Sequence, residues 1–194
     1  MFKKFGLVFI LFMFLIFGMV PSFAKGGTVK SPNETLLLVD KYQAQYFEII
    51  KRNDYFLSIE DYDTQKQDKR DLKKLYKTVK KEITNKDYLK KYKDIEKRHA
   101  KCDSESTVGI NKCASEYYED VDELLNEVYK EVKGKISKED FNKLKLSERK
   151  WLKEVDAYEK VFDSMGFGTI STLIYYTYQI DMREFRTLLL MMYL

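Results

Sequence analysis

The sequence predicts an all-α protein built as an antiparallel helical bundle with one disulfide-stapled interhelical loop. Three observations lead there. Beyond Ala24 the chain has one proline, Pro32, and six glycines, Gly26, Gly27, Gly109, Gly134, Gly166 and Gly168. Such a chain has few places to reverse direction and is rich in Lys, Glu, Leu and Asp, which suits long helices. Apolar residues recur at helical spacing in successive stripes, which can be buried only against one another.

The first 24 residues read as an export leader. Lys3 and Lys4 precede an apolar run from Phe5 to Val20, then Pro21 and the small-residue pattern Ser22-Phe23-Ala24, the layout of a cleavable signal peptide. Cleavage would leave about 170 residues, ample for one core. If retained, the run would approach the lower limit for a membrane span. No later apolar run reaches that length, so no transmembrane anchor is expected after cleavage. An exported protein, periplasmic or secreted, is the expectation, and a cytosolic metabolic enzyme or multi-span transporter is disfavoured.

The elements follow in order. Ser31-Pro32-Asn33-Glu34 is a capping box with proline at the first helical position, so a helix should begin there and run to about Arg52 on Leu38, Tyr42, Tyr46, Ile49 and Ile50. With the ambiguous stretch around Tyr55 to Ile59 it forms an expected N-terminal helical appendage, residues 25–63. The main helical domain, 64–194, should open on a second capping box at Thr64-Gln65-Lys66-Gln67, followed by Leu72, Leu75, Tyr76, Val79 and Ile83. Asn85 caps a continuation with Tyr88, Leu89, Tyr92 and Ile95. Tyr117, Val121, Leu124, Leu125, Val128, Tyr129 and Val132 carry a further helix that Gly134 is placed to end in the left-handed conformation. Phe141, Leu144, Trp151, Val155, Tyr158 and Phe162 form the next stripe, and Ile170, Leu173, Ile174, Thr177, Ile180, Phe185, Leu188 and Met192 the last.

Charge is uneven. Thr64 to Lys101 holds 15 Lys or Arg against six Asp or Glu, whereas Cys102 to Leu194 holds 13 against 18. The basic half reads first as a solvated helix surface and second as a strip for anionic lipid or wall polymer. Its Tyr76, Tyr88 and Tyr92 suit a core edge better than base stacking, and no nucleic acid is expected. Cys102 and Cys113, the only cysteines, should pair in an oxidising compartment and staple the loop between two helices.

Catalytic and metal chemistry find little support. His99 is the only histidine, flanked by Lys97, Arg98 and Lys101, and reads as a surface residue. The sequence contains neither a glycine-rich phosphate loop nor a nucleophile elbow. No cofactor, metal or enzymatic activity is expected. The acidic run Glu116, Glu119, Asp120, Asp122, Glu123 and Glu127 reads as the polar side of a helix.

One arrangement carries a resemblance. Cys102, Thr107, Cys113, Tyr117 and Asp122 lead into Leu125-Asn126-Glu127-Val128-Tyr129, and then come Leu144, Ser147-Glu148-Arg149-Lys150-Trp151-Leu152 and Asp156-Ala157. From about 101 to 194 this is similar to the lysozyme inhibitor LprI N-terminal-like family. The resemblance implies a small exported bacterial protein of helical fold, with Asp122, Leu125, Asn126, Tyr129 and Trp151 as structural motif residues. Glu148 stands where that family usually has Gln, Val155 where it usually has Arg, and Tyr158 or Glu159 near where many members place another Cys. The missing arginine would remove a polar link between helices.

Read physically, Trp151 is a central core aromatic. Asn126, poorly suited to mid-helix, calls for a buried polar bridge to another helix. Tyr129 is either its partner or another amphipathic core residue. The expected function is an exported, non-catalytic binding protein that occludes a cell-wall hydrolase such as c-type lysozyme. Its acidic helix face, Glu116, Glu119, Asp120 and Glu123, would hold a basic partner. The alternative is an envelope module binding anionic lipid or wall polymer through the Thr64 to Lys101 strip.

Overall fold

The structure is a computed structural model that describes residues 30–52, 62–101, 106–165 and 169–194. The described part contains six helices and no strand: α1 Pro32–Lys51, α2 Tyr62–Glu82, α3 Lys86–His99, α4 Thr107–Lys135, α5 Lys138–Met165 and α6 Thr169–Met191. Ser31–Leu194 form one compact unit. The leader residues, the stretch at 53–61, Cys102 and the glycine-bearing link at 166–168 lie outside the described residues.

Local chemistry sets most helix ends. The Ser31 side chain accepts from the Glu34 amide, and Glu34 accepts in return from the Ser31 amide at 2.8 Å, so both halves of the capping box are present. Asn85 Oδ1 accepts from the amides of Asp87 and Tyr88 and starts α3. Two boundaries differ from expectation. Helix α2 begins at Tyr62, so Thr64 sits within its first turn. Helix α4 continues through Gly134 to Lys135 and is capped by Ile136 in an extended conformation, its amide bonded to Val132. No left-handed residue is needed at Gly134, because Ser137 immediately caps α5 by accepting from the Asp140 amide at 3.0 Å.

Paired residues set the helix directions: α3 and α4 run antiparallel, with Lys91 on Glu127 and Arg98 on Asp120, as do α5 and α6, with Glu148 on Arg186 and Val155 on Tyr178, whereas α1 runs parallel to α5, with Asn33 on Lys143 and Lys51 on Glu154. Lys80 meets Glu96 across α2 and α3, and the Tyr129 ring packs tilted against Phe141 across α4 and α5. Helix α6 lies at the centre, packed against all five others. From Tyr178 to Met191 it is almost entirely buried, with Phe185, Leu188 and Leu189 in the core. A helix buried all round is usually apolar all round, yet α6 carries Asp181, Arg183, Glu184 and Arg186. Each therefore has to be matched by groups on surrounding helices. Helix α1 contributes Val39, Tyr46 and Ile50 to the same core, with Tyr46 stacked on Phe185 at 4.4 Å.

Candidate functional site

The polar residues of α6 organise the site. Arg186 is completely buried. Its Nε donates to Glu148 Oε1 at 2.8 Å, Nη2 to Ser147 Oγ at 3.0 Å and Nη1 to Gln43 Oε1 at 3.4 Å, while its guanidinium lies 5.9 Å from the Trp151 ring. Ser147 Oγ in turn donates a hydrogen bond to Asp40 Oδ1 at 2.6 Å. One buried guanidinium thus ties α6, α5 and α1 together. Val155 packs as core at the position where the resemblance called for arginine. A polar link between α5 and α6 is made instead by Arg186 and Glu148.

One turn earlier, Arg183 Nε donates to Asp122 Oδ1 at 2.7 Å, which joins α6 to α4, and its guanidinium covers the Tyr118 ring at 4.6 Å. Asn126 does not make the buried bridge expected of it. It is exposed, and its amide donates back one turn to the Asp122 carbonyl and carboxylate, both at 2.9 Å. Asp122 is the bridging group, and Asn126 orients it. Tyr129 is half-buried against Phe141, and Trp151 is 4% exposed.

These motif residues come together. Asp122, Leu125, Asn126, Tyr129 and Trp151 all line one groove of about 370 Å³ between α4 and α5, with Lys145, Arg149, Leu152 and Arg183 at its sides. Trp151 Nε1 is buried without a hydrogen-bond acceptor.

The acidic residues of α4 divide into two sets. Glu116, Glu119 and Glu123 are exposed. Asp120 is partly buried, accepts from Arg98 Nη1 at 2.7 Å and sits 2.6 Å from His99 Nε2. Glu127 is paired with Lys91 at 2.5 Å. The acidic run and the end of the basic strip therefore lie side by side and partly neutralise each other, an adjacency that composition does not reveal. His99 is not a surface residue as expected: its side chain is 11% exposed and its ring stacks on Tyr117 at 4.7 Å. Of the strip's tyrosines, Tyr92 is buried and donates to Glu96 at 2.8 Å.

Beneath His99 lies an acid cluster that the sequence analysis missed. Tyr117 donates its hydroxyl to the buried Glu184 carboxylate. Burial pushes Glu184 up to about 8, with Asp181 and Glu96 adding to the rise while the Tyr117 hydrogen bond and Lys80 oppose it. Burial likewise raises Asp181 to about 7, although Asp181 keeps some solvent contact. Both acids hold their proton more tightly folded than unfolded, so the stability they confer is present at low pH and is lost as pH rises through about 7 to 8. Unfolding free energy should accordingly increase by on the order of 2 to 4 kcal/mol between pH 8.5 and pH 5.5. Glu184→Gln should flatten most of that slope in urea titrations. A slope unchanged by the substitution would place its origin elsewhere.

The fold and site define a six-helix unit in which buried arginine and carboxylate links hold a motif-lined groove open to solvent. Residues 98–190 match the family described as Lysozyme inhibitor LprI, so the resemblance read from the sequence holds over that segment. Helices α1 and α2 and nearly all of α3 lie outside the match. No curated protein and no solved structure matches the chain. None of the described helices is long and apolar enough to cross a membrane.

Proposed function

We propose that the protein is an exported binding protein that inhibits a c-type lysozyme or a related cell-wall hydrolase by occluding it, without catalysis of its own. The match of residues 98–190 to a family of lysozyme inhibitors carries this reading. The exposed carboxylates Glu116, Glu119 and Glu123 on α4 would steer a basic hydrolase, and Asp120, engaged by Arg98 and His99, would hold α3 in place beneath them. Exposed charges act mainly on association rate and are screened by salt. Glu119→Lys with Glu123→Lys should therefore weaken inhibition about tenfold or more at low ionic strength and barely change thermal stability. Equal inhibition by the variant and the wild type would remove the acidic face from the account.

Export is part of the same proposal, with cleavage after Ala24 and a Cys102–Cys113 bond. The intact mass of the exported protein should begin at Lys25 and be lighter by two hydrogens than the reduced chain. Retention of Met1, or recovery of both thiols by alkylation without reduction, would contradict it. The basic strip is a weaker candidate for the binding surface, because Lys80, Lys91 and Arg98 are engaged by Glu96, Glu127 and Asp120.

A further inference from the structure

We infer that the outer face of α5, together with the groove beside it, is the surface that enters the carboxylate-bearing cleft of the hydrolase; this deepens the inhibitor reading and rests on it. Lys145, Arg149, Lys150, Lys153 and Lys160 are all exposed on α5, and at helical spacing they share one arc with Leu146 and Leu152. Among the described residues none of these five makes an ion pair. Other cations of the same unit do: Lys143 meets Glu139 and Asp140, Lys91 meets Glu127, and Arg98 meets Asp120.

The pattern opposes the helix's own stability. Lys145, Arg149 and Lys153 repeat at four-residue intervals, the spacing at which like charges repel. Asp156, also exposed, lies among them, three residues after Lys153 and four before Lys160. The leucines add a second exposure that folding alone does not explain, at 58% for Leu146 and 46% for Leu152. Leu152 also lines the groove, where Leu125, Tyr129 and Trp151 supply apolar walls and Trp151 Nε1 has no acceptor. The face therefore offers unpaired positive charge, apolar contact and an unused buried donor in one place.

A glycan hydrolase presents the complement. Its chemistry requires two carboxyl groups flanking the scissile bond in an open cleft, so even a hydrolase of basic overall charge concentrates negative potential there. The Arg149 guanidinium can bind a carboxylate through two parallel hydrogen bonds, and Leu152 beside it fits a sugar subsite's apolar wall. The two charged faces then have separate tasks: the acids of α4 meet the hydrolase's basic body, and the cations of α5 meet its cleft.

The test uses the mature protein and c-type lysozyme acting on soluble wall-glycan oligosaccharide. Wild-type inhibition should be competitive with the oligosaccharide. Arg149→Glu with Lys153→Glu should weaken it by about tenfold or more, and Leu152→Asp should weaken it as well. A control reversal of equal charge on α2, Lys69→Glu with Lys73→Glu, should change it by less than about twofold. Helicity and thermal midpoint, read for every variant, identify any loss caused by unfolding. Undiminished inhibition by the α5 variants, or non-competitive inhibition, would overturn the inference and leave the inhibitor reading standing. A wild type that inhibits no hydrolase would overturn both. If reversal abolished binding to phosphatidylglycerol vesicles but left inhibition intact, the face would belong to a lipid surface and the inference would fail.

Discussion

Arg186→Met should destabilise the protein by about 3 to 5 kcal/mol, the range expected when one partner of a buried ion pair is removed. The substitution leaves Glu148 with its charge in a site where its side chain is 13% exposed, and it strips Ser147 and Gln43 of a shared donor. The loss is mainly the cost of an uncompensated buried charge, because a buried pair and an apolar replacement of similar volume are often close in energy. The double substitution Arg186→Met with Glu148→Leu should therefore recover most of what the single one loses. Urea unfolding checks both, read as a shift in midpoint at constant slope. A single variant that loses under about 1 kcal/mol, or a double variant no more stable than the single, would show that the pair does not tie α6 to α5 as described.

Trp151→Ala should cost a similar amount, about 3 to 5 kcal/mol, for a different reason. The ring is buried between the Arg186 guanidinium and the α4–α5 groove, so its removal loses apolar burial and leaves a cavity that these rigidly tied helices can close only partly. Trp151→Phe separates packing from the indole N–H. Since Nε1 has no acceptor in the fold, phenylalanine removes a donor that folding does not use, and the cost should fall below about 1.5 kcal/mol. If the groove binds the hydrolase through that donor, Trp151→Phe should fold well and inhibit poorly. A phenylalanine variant as unstable as the alanine one would mean that Nε1 is satisfied in solution.

The helices around α6 were legible because each buries one face, and a one-faced stripe leaves its period in the sequence. Trp151, Leu144 and Val155 fell where that period put them, as did the caps at Ser31 and Asn85. The central position of α6 was not legible. Its buried face runs all round and is interrupted by Asp181, Glu184 and Arg186, which no apolar stripe includes. Their partners, Tyr117, Glu148 and Gln43, lie tens of residues away or more, beyond the reach of any local pattern. Asn126 failed in the opposite direction: its apolar neighbours suggested burial, but it lies on the exposed side and needs only its own helix. The pairing of the basic strip with the acidic run depends on how α3 folds back on α4, so net charge by segment described both faces as more separate than they are. The signal that could have exposed the α5 face is the four-residue repeat of Lys145, Arg149 and Lys153 around Leu152, hidden by the acidic balance of that half of the chain.

The central claim is best tested by titrating the mature, oxidised wild-type protein into c-type lysozyme at low ionic strength and following the clearing of a bacterial cell-wall suspension. The account predicts a saturable loss of lysis that weakens as salt is raised towards physiological strength. Lysis unaffected at micromolar excess of the protein would contradict it.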